Sequence, residues 1–406
     1  MQIYLVGGAV RDKYLEYPVR EKDWVVVGSS ADDLLSQGYK QVGKGFPVFL
    51  HPETHEEYAL ARTEKKSGQG YYGFDIYTGK EVTLEEDLAR RDLTINAMAL
   101  DNKENLIDPC NGLNDLKKKV LRHISPSFAE DPLRVLRVAR FAARYHHLGF
   151  SIAKETLSLM KSLVDSGELK TLPAERVWLE TEKALTEKSP QIYFEVLRQC
   201  NALKYWFEEI DCLWGVPNPP RWHPEIDTGI HTMMVLEQAA KITDDPVTRF
   251  AALCHDLGKG ATPAHILPSH PGHEKRGIPI IVKLCKRLTT PRHYEKLATL
   301  CSEYHLHLHR IEELRANTIV KVLEATRAFH NPAMLEKFVQ VCEADFKGRT
   351  GFENRPYPQA TIIKQAYHAC QSLDVQDLIA QGFNGSQLGE ELHRQRVNLV
   401  KQLTNK

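Results

Sequence analysis

The stretch Leu5-Val6-Gly7-Gly8-Ala9-Val10-Arg11-Asp12 constrains the fold of this chain more than any other. A β-rich run at 2–6 meets a glycine pair and then a helical pattern, so a strand must turn sharply into a helix. The first N–H groups of that helix lack partners and its dipole end is positive. Both suit a phosphate, with Gly8 at the helix start and Arg11 one turn in as a further clamp. A second signal follows within two dozen residues, in Glu21-Lys22-Asp23-Trp24-Val25-Val26-Val27. Two acids two positions apart at the start of a probable strand point the same way and can share hard divalent cations through oxygen. Two such acids are what metal-assisted phosphoryl or nucleotidyl transfer requires, one cation serving the attacking hydroxyl and another the departing pyrophosphate. Taken singly, each piece reads as an ordinary turn or a pair of solvated acids. Together they favour chemistry.

The rest of the chain sets the frame. Its 406 residues, 42% hydrophobic with 53 Lys+Arg against 53 Asp+Glu, allow two to four domains with real cores and argue against a disordered or fibrous protein. Zero formal charge leaves no global positive field, so a nucleic acid must be held by local basic patches. No apolar run approaches the roughly 18–20 residues that cross a bilayer, and the chain enters a strand pattern at once without a basic leader. The expectation is a cytoplasmic protein without a membrane partner, a monomer or weak homo-oligomer. Eight cysteines without a Cys-x-x-Cys pair read as reduced, mostly buried thiols.

Short β-rich runs (2–6, 24–27, 46–50, 57–62, 97–100) alternate with helical stretches up to about residue 125, giving an α/β part. From about Ser127 helical periodicity takes over, with Leu133, Leu136, Arg140 and Ala143 on one face and Leu157, Met160 and Val164 on a later one, so the remaining two thirds read as all-α. Turn-rich breaks at 215–220 and 355–358 mark soft boundaries, and four parts are expected: 1–126, 127–222, 223–350 and 351–406.

Two further clusters carry chemistry. Asp131 precedes Pro132 at a helix start and Arg134 lies three residues on, on the same face. A carboxylate beside a guanidinium accepts from the amino group of cytosine or adenine and donates to their ring acceptors, whereas uracil and guanine reverse that pattern. The plain alternative is a helix cap followed by a solvated basic stripe of Arg134, Arg137, Arg140 and Arg144. In the helical part, His255-Asp256 ends an apolar helix in Ala251-Ala252-Leu253-Cys254-His255-Asp256-Leu257-Gly258-Lys259, and its partners must come from distant segments. Imidazole plus carboxylate suits Mg²⁺ poorly and Mn²⁺, Ni²⁺, Co²⁺ or Zn²⁺ better.

Gly-Gly-x-x-Arg-Asp followed by an acid-x-Asp strand resembles the catalytic head of the polymerase-β nucleotidyltransferase superfamily. Arg90-Arg91-Asp92-Leu93-Thr94-Ile95-Asn96 and Glu130-Asp131-Pro132-Leu133-Arg134 resemble the ribose-and-phosphate segment and the nucleotide-selecting helix of class II tRNA nucleotidyltransferases. With His231, His255-Asp256 and Asp345 placed like the ligands of an HD phosphohydrolase, the resemblance extends to the HD-containing subgroup of bacterial CCA-adding enzymes and spans nearly the whole chain. It implies a polymerase-β-like α/β head with a mixed sheet, a helical neck, an HD body and a helical tail. It further implies addition of C, C and A to a tRNA 3′ end from CTP and ATP, with Mg²⁺ on Glu21 and Asp23. Gly8, Arg11, Arg91, Arg137 and Arg140 would then bind the nucleotide, with Asp131 and Arg134 reading its base. His231, His255, Asp256 and Asp345 would hold Ni²⁺, Mn²⁺ or Co²⁺ for phosphatase and 2′,3′-cyclic phosphodiesterase activity. The segment 61–73, polar and glycine-rich, is like the family's flexible loop. Glu21 stands where the family usually has Asp, which shifts its oxygens outward by one methylene. The competing readings are a bacterial poly(A) polymerase, an HD phosphohydrolase with a nucleotide-sensing head, and a non-catalytic tRNA-binding protein.

Overall fold

The computed structural model describes residues 1–404 except 20, 43–46, 67–73 and 222, so residues 67–73 of the expected flexible loop lie outside the described residues. The chain separates into two compact units, Met1–Tyr205 and Trp206–Lys406.

The first unit is built on strands β1 (Gln2–Val6), β2 (Asp23–Val27), β3 (Lys40–Val42), β4 (Val48–Leu50), β5 (Glu57–Leu60), the hairpin β6 (Thr63–Lys66) and β7 (Phe74–Tyr77), β8 (Ala99–Leu100) and β9 (Leu106–Ile107). Seven of them form one sheet in the order β3-β4-β5-β2-β1-β8-β9. Only β2 and β5 run parallel, so the sheet is mixed, as the resemblance implies. Period-two alternation in β2 feeds two cores. Val25 packs with Val6, Leu84, Leu88 and Ala99 on one side, and Val26 with Leu34, Phe49, Tyr58 and Leu60 on the other.

The register pairs Val6 with both Asp23 and Ala99, so the end of β1 and the starts of β2 and β8 meet at one end of the sheet. Helix Gly8–Tyr14 leaves β1 there through Gly7, whose φ of 68° is the left-handed region. A Cβ on Gly7 would lie 2.8 Å from an Arg91 nitrogen, so glycine is demanded at this residue more than at Gly8. Beyond the sheet, the almost wholly buried helix Leu133–Tyr145 packs against Ala174–Leu185 and Gln191–Gln199.

Two expectations are corrected. Strand β2 begins at Asp23, where pairing with β1 ends, so Glu21 lies in irregular chain before it and the acids do not share a strand face. The part beyond Ser127 is not wholly helical, because Ser151–Ile152 pairs in parallel with Val120–Leu121. A two-residue strand is too short to leave an alternation.

In the second unit, helices Thr228–Ile242, Pro246–Cys254, His273–Leu288, Arg292–His309 and Pro332–Lys347 pack on one another. Asp227 and Asp245 cap the first two by accepting from the N–H groups of Ile230 and Thr248, and Pro246 sits in the first turn of its helix. Helix Pro246–Cys254 is followed by the tight turn Leu257–Ala261, which runs against His273–Leu288 with no room for a side chain. A Cβ on Gly258 would lie 2.0 Å from the His273 carbonyl oxygen and 2.7 Å from the Gly277 nitrogen. All eight cysteines are free and six are buried. Among the described residues no helix is long and apolar enough to cross a membrane. Because the obstruction at Gly258 is backbone, Gly258→Ala is expected to cost about 1–3 kcal/mol or more, read as a lowered midpoint in denaturant unfolding of the second unit.

Candidate functional site

At the convergent end of the sheet lies a cleft of about 910 Å³, within the roughly 300–1,000 Å³ of ligand sites. Ten of its lining side chains are cationic and seven anionic, so it suits a highly charged ligand. All nine nucleotide- and metal-site residues singled out in the first unit's sequence line it: Gly8, Arg11, Glu21, Asp23, Arg91, Asp131, Arg134, Arg137 and Arg140. Glu57, opposite Asp23 in the β2–β5 register, adds a third carboxylate that sequence reasoning did not find. The pKa of Asp23 is raised from its ordinary value: desolvation by the cleft raises it, the Arg91 charge lowers it and the Glu21 charge raises it again. A divalent cation would relieve both raising effects, and an all-oxygen donor set fits Mg²⁺.

The cations of the cleft are held by a buried chain of alternating charges. Asp12 accepts from Arg11 Nε at 2.8 Å, Arg144 Nη2 at 2.9 Å and the Tyr145 hydroxyl at 2.8 Å. Arg11 also donates to Asn96 and lies over the Phe141 and Tyr145 rings. Asn96 donates to Asp92 at 2.9 Å, and Asp92 accepts from Arg137 Nε at 2.8 Å. Arg137 reaches Glu180 at 3.6 Å, and Arg140 donates to Glu180 at 2.7 Å and faces Glu187 at 3.7 Å. Burial opposes ionisation of Asp92, but Arg137 and Asn96 outweigh it and hold its carboxyl far below the ordinary range.

The solvated basic stripe is therefore wrong: Arg134, Arg140 and Arg144 are largely enclosed, and Arg137, Arg140 and Arg144 have carboxylate partners. Glu180 and Glu187 had no local signal for this role, because Arg137 and Arg140 lie tens of residues away; Asp12 and Asp92 have near partners in Arg11 and Asn96, but their ties to Arg144 and Arg137 are long-range too.

Asp131 and Arg134 both face the cleft without bonding to each other. One Asp131 oxygen accepts from the Leu133 N–H at 3.0 Å and the other pairs with Arg176 at 3.2 Å. Arg134 donates to the main-chain carbonyls of Ser127 at 3.0 Å and Arg90 at 2.6 Å. Two of its five N–H donors thus fix the fork and others remain for a base.

The second unit gathers His231, His255 and Asp345, whose ligating atoms lie within 4.8 Å of one another, and Asp256 stands 3.2 Å from His255 Nε2. All four predicted metal-binding residues are buried and adjacent. Surrounding groups orient them: Glu225 faces His223 and His231 at 2.9 Å each, Asp345 accepts from His309 at 2.6 Å, and the Tyr357 hydroxyl meets the other His309 nitrogen at 3.0 Å. His309 escaped notice in the sequence, although its i+4 spacing from His305 was a usable signal. Fully buried His255 Nε2 and Asp256 Oδ1 lack hydrogen-bond partners, which fits a pocket for a cation with mixed nitrogen and oxygen donors.

Three family models match the chain: the Poly A polymerase head domain over residues 3–122, the probable RNA and SrmB-binding site of polymerase A over 149–213, and the HD domain over 228–366. Curated relatives named Multifunctional CCA protein cover almost everything. That of Pseudoalteromonas atlantica is 58% identical across 98% of this chain and 99% of its own length. That of Thioalkalivibrio sulfidiphilus is 57% identical across 99% and 98%. The chain belongs to the multifunctional CCA proteins. As a member of that family it is a nucleotidyltransferase with an added HD domain. The fold is shared with more distant solved structures. The Bacillus stearothermophilus CCA-adding enzyme in complex with CTP superposes with a TM-score of 0.64 at 21% identity, over 99% of this chain and 89% of that one. The Thermotoga maritima CCA-adding enzyme complexed with tRNA does so with a TM-score of 0.62 at 21% identity, over 100% and 88%.

One consequence for this chain concerns pH. Burial lowers the pKa of His255, but the charges of Asp256 and Asp345 outweigh it and lift the imidazole to about 8. Below that pH a cation entering the pocket must displace a proton from His255. Apparent affinity for Ni²⁺ or Mn²⁺ is therefore expected to rise by up to about tenfold per pH unit up to pH 8 and flatten above it, measured by chelator competition.

Proposed function

We propose that this chain builds the 3′-terminal CCA of tRNA from CTP and ATP in the cleft of the first unit, and hydrolyses phosphoesters, 2′,3′-cyclic ones included, in the second. The observation that carries the reading is the convergence of the glycine turn, the acids and the Asp131–Arg134 couple on one cleft. The working parts are a nucleotidyltransferase head (1–126), a neck with the selecting helix (127–222), an HD domain (223–350) and a helical tail (351–406).

The terminal ribose hydroxyl of the tRNA attacks the α-phosphate, forming one P–O bond as the bond to pyrophosphate breaks. Glu21 and Asp23 hold Mg²⁺, which supplies a more acidic hydroxyl and charge compensation on the leaving group. The backbone at Gly8 and the guanidinium groups of Arg11 and Arg91 bind phosphates. Arg137 and Arg140, aimed by Asp92, Glu180 and Glu187, present their remaining N–H groups to the nucleotide. Asp131 accepts from the amino group of cytosine or adenine while Arg134 donates to the ring, and a reversed base loses about 1–3 kcal/mol per mismatched pair. The tRNA is gripped mainly through backbone and shape, as its body sequence varies. In the HD pocket, His231, His255, Asp256 and Asp345 hold a transition metal, with Ni²⁺, Mn²⁺ and Co²⁺ the best matches to their donors.

Poly(A) polymerase is the weaker reading, because such an enzyme would be expected to carry a basic tail rather than an HD site, and residues 228–366 match the HD domain. The direct test incubates tRNA lacking its CCA with labelled CTP and ATP and sequences the new 3′ end; tailing with ATP alone would overturn the reading. Asp23→Ala is expected to lower addition about 10³-fold while sparing hydrolysis of a 2′,3′-cyclic nucleotide, and His255→Ala with Asp256→Ala to do the reverse. Asp131→Ala or Arg134→Ala should raise UTP and GTP use relative to CTP and ATP about 10- to 100-fold, scored by primer extension. Unchanged selectivity would remove both residues from base recognition.

A further inference from the structure

One fully buried amide in the second unit has only half of its bonding capacity met. Asn218 is 0% exposed, its Oδ1 accepts from Lys259 Nζ at 3.0 Å, and its Nδ2 has no hydrogen-bond partner. We propose that Asn218 is a substrate-binding residue of the histidine–aspartate pocket, its Nδ2 donating to a phosphoryl oxygen of the bound phosphoester. This deepens, and rests on, the reading of the second unit as a phosphoester hydrolase.

The direction of the amide is set by its neighbour. Lys259 carries donors alone, so the atom that faces it must be the oxygen, and both N–H groups of Asn218 are left for another partner. Lys259 also reaches Asp256 Oδ2 at 2.7 Å, so one ammonium joins Asn218 to a carboxylate of the pocket. A buried N–H without an acceptor is costly, and such a group in a folded protein marks a missing partner. An amide nitrogen has no lone pair to offer a metal, so the cation of the pocket cannot fill that place, whereas a phosphoryl oxygen can. The surrounding charge favours an anion. Burial pushes the His223 imidazole down to about 4 against its bond to Glu225, and the charges of Lys259 and Arg349 add to the depression, so both cations lie near the ring that packs on His231. Arg349 stands 3.8 Å from Asp345 Oδ1, too far for a hydrogen bond.

The backbone beside Asn218 is held in a strained form. Ile226 has a φ of 62°, in the left-handed region that a β-branched residue rarely enters. Its carbonyl accepts from the Asn218 N–H at 2.6 Å, its own N–H donates to the His223 carbonyl at 2.9 Å, and Pro217 pairs with Asp227. His270 Nε2 donates to the Pro217 carbonyl at 3.0 Å. Strain persists only where the surroundings over-determine it, and it gathers at sites where side chains must be placed. Here it places Asn218 against Lys259 and Glu225 against His231.

The test follows hydrolysis of 2′,3′-cyclic AMP by the full chain loaded with Mn²⁺, together with its inhibition by inorganic phosphate. Asn218→Ala is expected to raise KM and the phosphate inhibition constant about tenfold and to move kcat by less than about twofold, because the lost contact serves ground and transition states alike. Asn218→Asp keeps an oxygen for Lys259 but turns the donor into an acceptor, and should be impaired at least as much. Ni²⁺ affinity of Asn218→Ala, measured by chelator competition, should match that of the unsubstituted chain and so report an intact pocket. An unchanged KM in Asn218→Ala would overturn the proposal, since the amide would then meet only water. So would an impaired Asn218→Ala beside a normal Asn218→Asp, which would leave Asn218 a mere support for Lys259, and so would loss of Ni²⁺ affinity. Failure of the hydrolytic reading would look different and would take the proposal with it: the unsubstituted chain would cleave the cyclic phosphate no faster than His255→Ala.

Discussion

Buried carboxylates in the wall of an arginine-lined cleft govern the first unit. Asp12, Asp92 and Glu180 are each enclosed, and burying a carboxylate is costly unless guanidinium groups reach it with good geometry. Asp12 draws Arg11 and Arg144 together, Asp92 takes Arg137, and Glu180 takes Arg140. Meeting those demands fixes how helix Gly8–Tyr14, the segment after Arg91, helix Leu133–Tyr145 and helix Ala174–Leu185 stand to one another. Removing one member of the Arg140–Glu180 pair leaves the other with only a longer contact, Arg137 at 3.6 Å from Glu180 or Glu187 at 3.7 Å from Arg140, so its cost stays below the ~3–5 kcal/mol of a fully unpaired buried charge. The network is thus a scaffold as well as a source of positive potential, and the cleft keeps its shape because its charges are satisfied locally.

The second unit solves a similar problem with a different donor set. Here the polar groups that enter the pocket are mostly imidazoles, and main-chain carbonyls choose which nitrogen points inward at His255, His273 and His305. Burial, aided by the neighbouring His255 and His273 and opposed by Asp256 and Asp345, pushes the His305 imidazole down to about 3, where the ring is neutral, while His255 is held up by the acids beside it. Hard carboxylate oxygens in one unit and mixed nitrogen and oxygen in the other are donor sets that suit different classes of cation.

Much of this was legible in the sequence, for physical reasons. The glycine turn, the Glu21 and Asp23 pair and the Asp131 and Arg134 pair are local patterns whose spacing dictates direction, and they do meet in one cleft. Glu21 was misjudged in detail, since a strand's first residue is set by where its neighbour's ladder ends, here at Val6 opposite Asp23. Strands β3 and β9 are too short to produce periodicity, and the ion pairs of Arg137 and Arg140 link residues some forty positions apart. Long-range pairing leaves no mark that a window of ten or fifteen residues can hold. The HD histidines were partly legible: His231, His255 and Asp345 fit an ordered pattern, but the inward turn of His273 and His305 depends on carbonyls that only the fold brings near.

The grip on Arg134 has a consequence of its own. The carbonyls that orient its fork belong to Ser127 and Arg90, so the identities of those two side chains contribute nothing to the hold. On the role proposed for Arg134, base selection at this point is inherited from the path of the polypeptide, not from the side chains beside it. A disturbance that bends either main-chain segment, even one seated well outside the cleft, would rotate the Arg134 fork and, on that role, be felt as addition of the wrong nucleotide.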